Sequence, residues 1–160
     1  MASVKIYNMT QTLLQPKKDY FAPMHTAEHI LNQTMVRKFG CSRSISNHIE
    51  KNKSKCDYLL SVSPSSEELQ KVEEEVNKII AQELPVTAEE MSREEALRRV
   101  SLERLAEDVP VVRLVFVGDY DVCPCIGKHV ANTREIGIFK IISWTYENGR
   151  LRIRYKLEEK

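Results

Sequence analysis

Ala27, Leu31, Met35 and Phe39 recur at every fourth position behind Pro23, a spacing that lines one side of an α-helix. Proline suits the first turn of a helix and glycine its end, so Pro23 and Gly40 bound a predicted helix over 23–39. His25 and His29 share one edge of it. Residues 1–22 show no regular period. Residues 41–63 read as two short extended segments around the polar run 50–55, with 56–62 the better strand. Ser65 and Glu68 have the spacing of a capping box. Behind them Leu69, Val72, Val76, Ile79 and Ile80 mark a second amphipathic helix, which Pro85 ends. Residues 86–91 fit either a strand or a turn, and Ser92 with Glu95 starts a third, shorter helix through about Arg99.

The period then changes. Residues 111–117 form a β-rich apolar run that Gly118 interrupts, and a loop rich in Cys, Pro, Gly and His follows. Two further strands, 137–146 and 150–157, flank Asn148-Gly149, a strong signal for a two-residue hairpin turn. Helices in the first half and strands in the second predict an α+β fold, a mostly antiparallel sheet packed with helices. No repeat, linker or low-complexity segment divides the chain, so one domain over 1–160 is expected.

Composition changes this picture little. With 42% apolar residues in 160, the chain can bury a core without disulfides or metal. No run approaches the ~20 apolar residues of a membrane span, and the first residues lack the regions of a secretion signal. A cytoplasmic location is expected, where four cysteines point to metal binding or free thiols. The net charge of +1 provides no global field to attract a polyanion. Local basic clusters do exist: Lys51, Lys53 and Lys55, preceded by Arg37, Lys38 and Arg43, and a second of Lys128, Arg134 and Lys140. Either can equally be a solvated face.

The chemistry lies in two short motifs. In His25-Thr26-Ala27-Glu28-His29 a spacing of four sets two imidazoles on one helix face, near enough to hold one ion. In Cys125-Ile126-Gly127-Lys128-His129, with Pro124 before it, a tight loop can converge a thiolate and an imidazole. Each motif alone has an ordinary structural reading. Together they use three of the four histidines, and Cys with His is a zinc donor set. Cys123 can replace Cys125 as the thiolate; the spacing to His129 favours Cys125. His48, the remaining histidine, reads as a surface or strand residue. A zinc peptidase is excluded, because its helix motif carries the general-base Glu directly after the first His, where Thr26 stands.

The segment from His25 to Asn32 resembles the H-[TS]-A-x-H-L-L stretch of the alanyl-tRNA synthetase editing domain. Cys125 to Val130, followed by Asn132-Thr133-Arg134-Glu135-Ile136-Gly137, resembles that family's C-x-G-T-H-V-x-x-T-x-E-I-G. Between them, Lys55-Cys56-Asp57-Tyr58 is similar to its R-x-D-F strand, and Glu73, Val76, Asn77 and Ile80 to its helix E-x-x-V-N-x-x-I. The likeness runs in order from about Met24 to Ile142, with Ile126 and Lys128 departing from the usual small residue and Thr. It implies an editing-domain-like two-layer architecture and a free-standing editing protein. The implied activity is hydrolysis in trans of mischarged tRNA-Ala carrying serine, with glycine as a second candidate. It puts a zinc ion on His25, His29, Cys125 and His129, where the metal either activates a water or holds the substrate. Thr26 becomes the candidate to meet a substrate hydroxyl. The partner is the tRNA acceptor end, for which Lys51, Lys53, Lys55, Lys128 and Arg134 are candidate contacts. The competing expectation is a non-catalytic RNA- or protein-binding module with a structural zinc on the same fold.

Overall fold

In the computed structural model, residues 21–102 and 108–160 are described; most of the irregular 1–22 segment lies outside them. The first helix, α1, spans Ala22–Phe39, with Pro23 in its first turn. Gly40 closes it in the left-handed conformation (φ 65°) and donates its N–H to the Val36 carbonyl at 2.9 Å. The expected apolar face is only part of what α1 buries. His25, Thr26, Glu28, His29, Asn32 and Thr34 are buried as well, so polar groups enclosed with the core need partners inside it.

Two antiparallel sheets flank the helices, where the sequence suggested one. The larger has strand order β1-β2-β7-β6, with β1 Ser46–His48, β2 Ser54–Leu59, β6 Ile138–Glu147 and β7 Arg150–Glu158. The smaller is β3-β4-β5, with β3 Val86–Ser92, β4 Val111–Val117 and β5 Asp121–Pro124. The architecture is α+β, and every described strand pair is antiparallel. The β6–β7 turn is Asn148-Gly149, with φ 51° and 79°, the doubly left-handed backbone that a tight hairpin requires. β2 stops at Leu59 rather than continuing to 62, because its ladder partner β7 begins at Arg150, opposite Leu59. Val86–Ser92, ambiguous in sequence, is a strand because it pairs along its whole length with β4.

The second helix, α2 (Ser66–Ala81), has the capping box that was expected at Ser65 and Glu68. It buries Leu69, Val72, Val76, Ile79 and Ile80, and ends four residues before Pro85. Together with Met24, Ala27, Ile30, Leu31 and Met35 of α1, these cover the inward side chains of the larger sheet, among them Cys56, Tyr58, Leu151, Ile153 and Tyr155. The short α3 (Arg93–Leu97), begun by Ser92 as expected, packs Ala96 with Met91, Val112 and Leu114 in a separate cluster over the smaller sheet. A 3₁₀ turn at Thr133–Glu135 follows the Cys/His loop. Thr133 anchors that turn to the end of α2, donating to the Ile80 carbonyl and accepting from the Leu84 N–H. Gly137 (φ 88°) then passes so close to Glu158 that a Cβ would strike its carbonyl oxygen. No helix among the described residues is long and apolar enough to cross a membrane.

Candidate metal centre

His25 and His29 lie one turn apart near the start of α1, and β5 leads directly into the loop that carries Cys125 and His129. Their potential donor atoms all fall within 4.8 Å of one another. Cys125 Sγ is 3.4 Å from His25 Nε2 and 3.5 Å from His129 Nε2. A tetrahedral zinc with bonds of about 2.0 Å to nitrogen and 2.3 Å to sulfur would separate such atoms by about 3.5 Å. The donor set and its spacing therefore fit a metal such as zinc. Cys123 stands outside this group: its thiol contacts the Pro124 carbonyl at 3.4 Å, although it borders the same cavity.

The rings are aimed by what their Nδ1 atoms face. His25 Nδ1 meets the Lys128 carbonyl at 3.1 Å, His129 Nδ1 the Thr26 hydroxyl at 2.9 Å, and His29 Nδ1 lies 3.7 Å from an Asp121 oxygen. His29 Nδ1 is buried without a hydrogen bond at that length. An oxygen behind each imidazole leaves Nε2 turned to the centre, the usual outer support of a metal-bound histidine. Burial holds the imidazoles neutral, with His25 lowered to about 4, His129 to about 3 and His29 well below its usual value. Their ring lone pairs are thus available at neutral pH. Burial also pushes the Cys125 thiol up to about 11, which a cation among these donors would oppose by favouring the thiolate.

Four hydrogen bonds from other elements fix the loop half. Arg113 of β4 donates to the carbonyls of Cys125 (2.8 Å) and Gly127 (3.0 Å). The Arg113 carbonyl accepts the Cys125 N–H at 3.0 Å. Thr26 also accepts the Val130 N–H at 3.2 Å. Thr26 is fully buried, and its hydroxyl is occupied by His129 and Val130. Through the first of these bonds it positions the His129 imidazole.

A cavity of about 420 Å³ opens on the cluster, lined by His25, His29 and Cys125 and by Glu28, Arg43 and Asn47. Glu28 is the residue that the sequence reading passed over. Its Oε1 accepts from Asn32 Nδ2 at 2.7 Å and from Asn47 Nδ2 at 3.3 Å. Its Oε2 faces the Nε2 atoms of His29 (3.7 Å) and His25 (3.9 Å); with neutral imidazoles these are contacts rather than ion pairs. Asn32 is itself held by the Tyr58 hydroxyl at 2.7 Å and the Ser44 N–H at 3.2 Å. Burial raises the Glu28 carboxyl to about 7. Across the cavity Arg43 forms a bidentate pair with Asp121, at 2.7 and 3.3 Å. One signal of Glu28 was available: His25, Glu28, His29 and Asn32 form a polar i, i+3, i+4, i+7 edge beside the apolar face of the helix.

The expected RNA-contacting cations are more scattered. Lys51 and Arg134 border a different hollow of about 450 Å³. Lys53 is exposed, and Lys55 lies on β2 opposite Arg154. The Lys128 side chain is exposed, and only its carbonyl enters the cluster. None of the five lines the 420 Å³ cavity.

Residues 112–154, which include the whole Cys/His loop, match the Threonyl and Alanyl tRNA synthetase second additional domain. Over most of its length the chain is also similar to part of alanyl-tRNA synthetases and of an alanyl-tRNA editing protein. Among its relatives, the alanine–tRNA ligase of Fervidobacterium nodosum is 34% identical over 121 residues, which is 74% of this chain and 14% of that protein. The ligase of Bdellovibrio bacteriovorus is 35% identical over 127 residues, again 14% of its length. The alanyl-tRNA editing protein AlaX-L of Pyrococcus horikoshii is 35% identical over 132 residues, covering 80% of this chain and 31% of AlaX-L. The chain thus spans less than a third of each of these proteins.

Proposed function

We propose that this chain is a zinc-dependent aminoacyl-tRNA deacylase, hydrolysing the ester of tRNA-Ala mischarged with serine, and with glycine as a second substrate. The observation that carries the reading is the meeting of His25 and His29 with Cys125 and His129, about a hundred residues along the chain, at one cavity. The relatedness to an alanyl-tRNA editing protein supplies the substrate class. We read residues 1–160 as one editing-type domain acting in the cytoplasm.

His25, His29, Cys125 and His129 would hold the zinc, which when bound supplies Lewis-acid polarisation. The remaining work belongs to the chain. Thr26 orients the His129 ring, and Arg113 holds the Cys125 and Gly127 carbonyls of the loop. Glu28 Oε2, steadied through Oε1 by Asn32 and Asn47, is placed to take the proton of an attacking water and return it to the leaving ribose oxygen. The cavity walls fix the aminoacyl group beside that carboxylate, and Arg43 lends them positive charge. The acceptor end of the tRNA lies at the mouth.

Four protein donors can close a tetrahedral shell, and closed shells are usually structural. A non-catalytic binding module with a structural zinc is therefore the second reading. Incubation with Ser-tRNA-Ala, Ala-tRNA-Ala and Ser-tRNA-Thr, with and without chelator, separates the two. The deacylase releases serine from tRNA-Ala, spares Ala-tRNA-Ala and loses activity in His29→Ala. A zinc-loaded sample that turns over no charged tRNA would establish the second reading.

A further inference from the structure

β7 carries Arg150, Arg152, Arg154 and Lys156 at alternate positions, while Leu151, Ile153 and Tyr155 between them are buried. Strand alternation therefore collects the four cations on the sheet face turned away from the helices. Neighbouring strands extend the pattern: Lys55 of β2 stands directly opposite Arg154, and Lys140 of β6 opposite Lys156. Like charges directly opposite one another weaken a sheet. Nearby acids relieve part of this. Asp57 pairs with Arg150 and Arg152, each at 2.8 Å. Glu158 lies 3.3 Å from Lys156, and Glu73 3.9 Å from Lys140. Among the described residues no acid pairs with Lys55 or Arg154, which confront each other across the ladder.

We propose that this face, centred on Lys55 and Arg154, docks the phosphate backbone of the RNA substrate. The inference rests on the aminoacyl-tRNA reading of the cavity and adds the surface that holds the rest of that substrate. Position supports it. The row through Arg154 and Lys55 continues to His48 on β1. The preceding residue, Asn47, turns to the other side of β1 and reaches Glu28 in the cavity. One edge strand thus separates the cationic face from the cavity, so an RNA whose 3′ end enters the cavity can continue over that edge. Cations about 6.8 Å apart along a strand and about 4.8 Å apart across it form a grid suited to successive phosphates. Ser143 and Thr145, the outward partners of Arg154 and Arg152 on β6, add hydroxyls and no base-reading or stacking group. Such a surface positions RNA without reading its sequence.

Single charge reversals test this with little risk to the fold. Lys55→Glu or Arg154→Glu replaces a repulsive cross-strand pair by an attractive one, so each variant keeps or raises the melting temperature. Binding of deacylated tRNA-Ala to the full chain, titrated against salt, should weaken about fivefold or more in either variant. The dependence of log affinity on log salt should become shallower by about 1. Lys71→Glu, on the exposed side of α2, should leave binding as in the wild type. Unaltered tRNA affinity in both sheet variants, or an equal loss in Lys71→Glu, would overturn the proposal. So would preferential binding of phosphatidylserine vesicles or an acidic peptide at this face. Wild-type turnover of Ser-tRNA-Ala reads the deacylase reading separately, so failure of one is distinguishable from failure of the other.

Discussion

The two halves of the metal cluster are built differently. His25 and His29 take their relation from one turn of a helix buried on most of its surface, and Glu28 and Asn32 follow on the same edge. Cys125 and His129 lie on a loop whose shape comes from elsewhere: Arg113 on β4, Thr26 on α1 and the Thr133 turn fixed to α2. The helical half is set by local backbone geometry and the core packed around it. The loop half is set by a few side-chain bonds to main-chain groups, and is correspondingly easier to loosen without unfolding the protein.

Removing a donor from the rigid half gives the largest expected effect. Zinc held by four donors with ~10–16 kcal/mol in total loses about a quarter of that with one ligand, or about 10²- to 10³-fold in affinity. Titration of His29→Ala against a competing chelator measures this loss, and an unchanged affinity would remove His29 from the ligand set. Glu28→Gln comes next. It keeps the shape and should leave zinc content intact while lowering deacylation about 10²-fold or more, the usual worth of a positioned acid–base group. Equal loss of zinc and turnover would make Glu28 a support of the cluster rather than the proton acceptor.

The loop half is probed by Arg113→Ala and Thr26→Val. Each leaves the four donors in place and removes what aims them, so zinc affinity should fall about 10- to 100-fold. Hydrogen exchange should rise in the loop around Cys125 to Val130 and stay unchanged along α1. Exchange rising equally in α1 would erase the distinction between the halves.

That distinction also separates what was legible in the sequence from what was not. Helix α1, the α2 capping box, β4 and the Asn148-Gly149 hairpin rest on local periodicity and turn chemistry, so a linear reading finds them. So does the i, i+4 histidine pair. Glu28 was missed as a functional residue because its Asn47 partner comes from β1 and its Asn32 partner is fixed by Tyr58 of β2. The Arg43–Asp121 pair bridges 78 positions, and no local pattern announces it. The sequence offers Lys51, Lys53, Lys55, Lys128 and Arg134 as candidate RNA contacts but gives Lys55 no partner. Strand pairing instead sets Lys55 against Arg154, almost a hundred residues away. The division into two sheets was hidden for the same reason, since partner choice among strands is not a property of any one strand.

The smallest expected effect is on stability against pH. His25, His29 and His129 each have an ordinary value of 6.5 and a lowered one in the fold. As pH falls below 6.5, protons therefore enter the unfolded chain first, and the metal-free protein loses stability until the folded imidazoles titrate, at about 4 for His25 and about 3 for His129. Glu28 works oppositely: raised from 4.5 to about 7, it takes its proton in the fold first and gains stability as pH falls through that window. Three groups outweigh one, so melting temperature should decline from pH 6.5 to 4, and more steeply in Glu28→Gln. A metal-free protein whose melting temperature rises on acidification would contradict these shifts.

The central claim, one zinc on three imidazoles and the Cys125 thiolate, is tested most directly by X-ray absorption at the zinc edge of the purified protein. The account predicts one equivalent of zinc with three nitrogen neighbours at about 2.0 Å and one sulfur at about 2.3 Å. The sulfur should vanish in Cys125→Ser and persist in Cys123→Ser. A shell with no sulfur or two, or a sulfur that survives Cys125→Ser, would contradict it.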